Sequence, residues 1–210
     1  MLRNFRAAAT KQSVFGTTIF EKGELADVSG IVVDQARLRD LAILPVPGEY
    51  YLSAHDLHFY AEALVFDSGR PTLVLPQARK AAAASAFEAV VLAWDGSRPS
   101  TRAIADALPT LRRAKATHIL TVANRKTLAA TRTAPALAAH LATHGVEAVV
   151  ASVASAGRTI EVVFADYAAS CGAGLIVMGA FGQSRLRDFI LGGATQRLLA
   201  APPTALFLSH

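Results

Sequence analysis

The stretch that decides the fold is Gly174-Leu-Ile-Val-Met178, Gly179-Ala-Phe-Gly182, nine further residues, Gly192-Gly193-Ala194-Thr195, and finally Pro202-Pro203-Thr-Ala-Leu-Phe-Leu208. Leu175–Met178 is a short apolar run, which suits a strand buried on both faces. The last run is another. Between them a glycine-punctuated loop opens into a helix. Glycine lets backbone amides approach a ligand closely. A helix start offers unpaired N–H groups and the positive end of the dipole, so it favours anions. Strand, glycine loop and helix start together predict a phosphate cradle.

The spacing Gly-x2-Gly-x9-Gly is not the Gly-x-Gly-x-x-Gly of dinucleotide folds, nor a Walker loop, which needs Gly-Lys-Ser/Thr. It resembles the signature of the universal stress protein family, whose nucleotide-binding members carry this spacing followed by Ser or Thr. The full run from Met178 to Thr195 carries the resemblance further than three glycines would. One position departs from the pattern. Gly193 follows Gly192, and a hydroxyl arrives only at Thr195.

Working outward, Ala89-Val-Val-Leu-Ala-Trp94 reads as a buried strand, turned by Asp95-Gly96-Ser97. Pro99 suits a first helical turn. Ile104, Ala107, Leu108 and Leu111 keep helical spacing, with Pro109 expected to kink or shorten the helix. Thr117–Val122 and Glu147–Ala151 read as strands, Leu137–His144 as a short helix ended by Gly145, and residues 124–134 as a loop. Ile160, Val163, Phe164, Tyr167, Ala168 and Cys171 mark an amphipathic helix. Strands alternating with helices imply a parallel sheet with helices on both faces. Ligands of such sheets bind beyond the carboxyl ends of the strands. Asp95, Val122 and the glycine loop all fall at that edge.

The front of the chain repeats the back of this unit. Leu41-Ala-Ile-Leu44 matches Leu175-Ile-Val-Met178, and Pro71-Thr-Leu-Val-Leu75 matches Pro203-Thr-Ala-Leu-Phe207, at separations of 30 and 28 residues. An internal repeat follows. Residues 1–76 have room only for part of a copy and lack the glycine pattern, since Pro45–Tyr51 holds only Gly48. They read as a truncated, degenerate copy without a nucleotide site. Within it, Gly16–Phe20 reads as a short strand, residues 24–39 as a helix, and Leu57–Phe66 as a helix capped by Asp56. Residues 77–87 read as a linker and 88–210 as the complete domain.

The resemblance covers residues 88–210 well and 16–76 weakly. It implies an α/β, doubly wound, Rossmann-like domain of five parallel strands in the order 3-2-1-4-5, preceded by the partial copy of the same fold. It also implies that Asp95 and Val122 face a nucleoside. Ribose and phosphates would then lie against Met178, Gly179, Gly182, Gly192, Gly193, Ala194 and Thr195. The implied ligand is ATP, with Mg2+.

Each residue also has a plain structural reading. Asp95 serves a ligand or simply makes an Asp-Gly turn. Gly179, Gly182, Gly192 and Gly193 serve a ligand, a turn or close packing. Arg185 and Arg187 clamp phosphate or are solvated. Cys171 falls on an apolar stripe and reads as an inert core thiol. His140 and His144 stand four apart without a carboxylate or third ligand, so no metal site is expected.

Composition narrows the rest. A 52% hydrophobic content with 18% charged residues describes a packed globular chain. The mean hydropathy is positive, but the longest uncharged run, Tyr167–Ser184, contains four glycines and makes a poor spanning helix. Met1–Arg6 lacks the apolar core of a signal peptide, and one cysteine permits no internal disulfide, so a cytoplasmic location is expected. The net charge of +5 comes from scattered arginines, which argues against nucleic acid. There is no Gly-x-Ser-x-Gly elbow, Cys/His dyad or nucleotidyl-transferase His motif. The chain therefore reads as a nucleotide-binding sensor or regulator of the stress response, at most a slow ATPase. The rival reading is a dimerisation module of the same fold that binds no nucleotide. A homodimer is expected, because the partial copy leaves one side of Leu41–Leu44 without a neighbouring strand.

Overall fold

The computed structural model describes residues 2–14, 16–46, 54–76, 87–123, 133–180 and 193–210. The helices are α1 (Leu2–Lys11), α2 (Leu25–Arg37), α3 (Ala54–Asp67), α4 (Arg98–Leu111), α5 (Ala134–Thr143), α6 (Ile160–Ser170) and α7 (Gly193–Ala200). The strands are β1 (Ala42–Pro45), β2 (Thr72–Leu75), β3 (Ala89–Ala93), β4 (Ala116–Ala123), β5 (Ala148–Ala154), β6 (Leu175–Gly179) and β7 (Ala205–Ser209).

The seven strands among the described residues form one sheet in the order β1-β2-β7-β6-β3-β4-β5. The five strands from β3 onward are parallel and follow the expected 3-2-1-4-5 order. The front of the chain adds β1 and β2, parallel to each other, and β2 joins β7 antiparallel. The register pairs Thr72 with Leu208, Leu73 with Phe207 and Val74 with Leu206. Strands β2 and β7 thus cover each other's edges within one chain.

The central strands β3, β6 and β7 are almost wholly buried, which explains their unbroken apolar runs. One face packs against α3, α6 and α7, through Ala61, Val65, Phe164, Ala168, Leu198 and Leu199. The other packs against α4 and α5, through Ile104, Ala107, Leu111, Leu137 and Leu141. Helix α2 lies on α3, and two arginines fasten the pair. Arg37 Nε and Nη2 donate to the carbonyl of Asp67, at the end of α3. Arg70 Nε and Nη2 donate to the carbonyl of Arg37, at the end of α2.

Two expectations are corrected. Gly16–Phe20 forms no strand and lies largely exposed. Its β-branched composition favours a pleated surface, but it pairs with no strand of the sheet. Helix α3 begins at Ala54, so Asp56 stands inside the first turn and is not its cap. Pro109 lies inside α4, which ends two residues later, at Leu111. The expected linker 77–87 lies outside the described residues except for Phe87, as does nearly all of the loop expected at 124–134. Among the described residues, no helix is long and apolar enough to cross a membrane.

The outer edge of β1 is blunted. Ala42 and Val46 donate their N–H groups toward β2, to Pro71 and Leu75. By the alternation of a ladder, Ile43 and Pro45 present their backbone outward. Pro45 has no N–H to offer. Ile43 is 57% exposed there.

Candidate functional site

The turn after β3 is built by short polar side chains. Asp95 is exposed, and its Oδ1 accepts the N–H of Ser97 at 2.9 Å. Gly96 takes φ 69°, the left-handed region that favours glycine. Ser97 caps α4, its Oγ accepting from Ser100 N at 3.2 Å, and Pro99 follows in the first turn. Ser100 Oγ and Thr101 Oγ1 each donate to the Ser97 carbonyl at 2.9 Å. Trp94, one residue before Asp95, is buried in the core between the sheet and helices α4 and α5.

The sheet register brings three strand ends together. Ala93 pairs with Leu120 on one side and Met178 on the other. Asp95, Val122 and Ala180 each lie two residues farther along, at one carboxyl edge. Val122 and Met178 pack on the α6/α7 side of the sheet. Gly179 is half-buried and sits against the start of α4. A Cβ there would collide with the Ser100 backbone nitrogen and lie 2.8 Å from Pro99 Cβ. Close packing thus accounts for that glycine without any ligand. Gly193 and Ala194 open α7, with buried Thr195 in its first turn. Gly182 and Gly192 lie outside the described residues, as do Arg185 and Arg187.

Two buried oxygens near this edge have no hydrogen-bond partner: Thr121 Oγ1, one residue before Val122, and Glu161 Oε2, in the first turn of α6. The other oxygen of Glu161 accepts Arg197 Nε of α7 at 2.6 Å. Buried polar groups without partners are uncommon. The N–H groups in the first turn of α7 suit an anionic group such as a phosphate. Among the described residues, no three His, Cys, Asp or Glu side chains gather to hold a metal ion. The rings of His140 and His144 stack edge to face at 4.9 Å.

Sequence reasoning missed several members of this edge. Ser97 had a signal, a capping residue two positions before proline. Others had none. Ser209 Oγ donates to Asp106 Oδ2 of α4 at 3.0 Å, and that oxygen also accepts Arg102 Nε at 2.9 Å. His210 Nδ1 lies 3.1 Å from the Ala180 carbonyl.

The model of the Universal stress protein family matches residues 86–208. Among solved structures, a universal stress protein from Archaeoglobus fulgidus superposes with TM-score 0.71 at 16% identity, covering 98% of this chain and 74% of that one. A functionally unknown protein from Pseudomonas aeruginosa superposes with TM-score 0.61 at 16% identity, covering 99% of this chain and 76% of that one. At these identities the likeness is one of fold. No curated protein matches the chain by sequence.

Proposed function

The chain belongs to the universal stress protein family, and on that premise we propose that it binds an adenine nucleotide, ATP with Mg2+, and acts as a sensor or regulator in the stress response. The observation that carries this reading is that Asp95, Val122 and Gly179 lie at one carboxyl edge, where β3 has parallel neighbours on both sides, and that the chain after β6 resumes as helix α7 at Gly193. Ligands of open parallel sheets bind at such switch points. Asp95 would accept hydrogen bonds from the nucleoside. The first-turn amides of α7, from Gly193 to Thr195, would face phosphate, favoured by the helix dipole. Gly182 and Gly192 would allow the backbone close to the ligand. Mg2+, when bound, would neutralise phosphate charge.

Binding is expected to be on the order of micromolar or weaker, about −8 kcal/mol or less favourable. It is confined to residues 88–210, since the partial copy carries no Gly-x2-Gly after Leu44. Calorimetric titration with MgATP tests this reading. The role is regulatory, and hydrolysis, if measured, is slow.

We further propose a homodimer. The outer edge of β7 is already taken by β2, so the contact falls on the partial copy. Pro45 disfavours strand-to-strand pairing at β1, and the apolar surface around Ile43 is the face a second copy would cover.

A second reading, a dimerisation module that binds no nucleotide, draws on two residues. Gly193 lacks the hydroxyl of the family pattern, and the bulky Trp94 stands next to Asp95. The same titration separates the two.

A further inference from the structure

We propose that His210 is a positioning residue through which the partial copy fixes the chain where it leaves β6, and thereby tunes ligand binding at the carboxyl edge. The ligand part of this inference rests on the nucleotide reading above.

Ala180 follows β6 directly and is buried. Both of its backbone polar groups are held by the last residue of β7 and the residue that follows it. Its N–H donates to the Ser209 carbonyl at 2.8 Å, and its carbonyl meets His210 Nδ1 at 3.1 Å. A carbonyl only accepts, so Nδ1 must carry the proton in this contact. The imidazole is braced in turn by Phe66, in the last turn of α3, with ring centroids 4.6 Å apart at 62°. That is an edge-to-face aromatic contact, which adds to simple burial. Ser209 is tied on the opposite face of the sheet, to Asp106 of α4. Helix α3 belongs to the front of the chain and α4 to the back. The exit of β6 is therefore clamped from both faces, and one arm of the clamp comes from the partial copy. This gives that copy, which lacks the glycine pattern, a task at the site of the complete one.

The test uses the full chain and four proteins: wild type, His210→Ala, His210→Asn and Phe66→Ala, with the Ala–Ala double variant added. Three readouts are taken: affinity for MgATP by calorimetry, amide hydrogen exchange at Ala180 without ligand, and melting temperature. His210→Ala is expected to weaken ATP binding about five- to tenfold, the scale of one lost hydrogen bond. It should speed exchange at Ala180 while moving the melting temperature by no more than about 3 °C. His210→Asn, whose side-chain amide can still donate to the carbonyl, should recover most of both losses. Phe66→Ala should act in the same direction, and the double variant should show no further loss, because both residues serve one contact.

Wild-type affinity and wild-type exchange in His210→Ala would overturn the proposal. So would simple addition of the two alanine effects. If the wild-type chain binds no ATP, the nucleotide reading fails, and exchange then decides the clamp. Faster exchange in His210→Ala, restored in His210→Asn, upholds it, and unchanged exchange overturns it.

Discussion

A methyl group on Gly179 would lie 2.5 Å from the carbonyl carbon of Pro99, closer than non-bonded atoms approach. The end of β6 and the start of α4 thus meet backbone to backbone, and the contact fixes how the turn after β3 faces the exit of β6.

Gly179→Ala should therefore be costly even without ligand. Overpacking against backbone destabilises by about 1–3 kcal/mol, and urea denaturation of the free protein should show a loss in that range. Unchanged stability would mean that α4 shifts freely at its start.

The paired arginines at the ends of α2 and α3 make a second case. Arg70 donates to the Arg37 carbonyl at 3.3 and 3.1 Å, and Arg37 to the Asp67 carbonyl at 3.2 and 3.1 Å. Both side chains are exposed, so Arg70→Ala should cost no more than about 1 kcal/mol. The loss should appear as faster hydrogen exchange in the last turn of α2, with the sheet untouched. Loss of sheet protection as well would assign Arg70 a wider role.

Tyr167 supplies a pH dependence. Its hydroxyl lies 3.1 Å from His118 Nδ1, and the two rings meet edge to face at 5.8 Å. Burial, and secondarily the nearby Cys171, raise its pKa above the usual 10.0. The folded state then holds the proton more tightly than the unfolded chain. The resulting stability is fully present below pH 10.0 and is lost as pH rises through the folded value. Denaturation curves on either side of pH 10.0 should show wild type losing more stability than Tyr167→Phe. Parallel losses in the two proteins would remove Tyr167 from the explanation.

Assembly offers a fourth check. Light scattering at micromolar concentration should give twice 22.1 kDa, and Ile43→Lys should return the mass to that of one chain by placing a charge on the apolar contact. A stable wild-type monomer with Ala42–Leu44 protected from hydrogen exchange would show that the chain covers this edge by itself.

The strands most legible in the sequence were those buried on both faces. Val90–Leu92 and Leu175–Val177 are continuous apolar runs because helices cover both sides. The repeat of Pro71 and Pro203 before two such runs marked β2 and β7. Gly16–Phe20 misled because strand propensity needs a pairing partner, and the sheet offers none there. At the site, parallel topology alone places Asp95, Val122 and Gly179 at one edge. The reason for Gly179, its contact with Pro99, depends on a crossing of two elements that no local pattern encodes. Ser209 and Asp106 meet across 103 residues. His210 and Phe66 likewise meet only because β2 pairs with β7.

The most direct test is calorimetric titration of the full chain with MgATP, repeated with Gly182→Val. The nucleotide reading predicts one site per chain, affinity on the order of micromolar or weaker, and loss of the heat signal in the variant. No heat and no thermal shift at millimolar ATP, or a stoichiometry of two per chain, would contradict it.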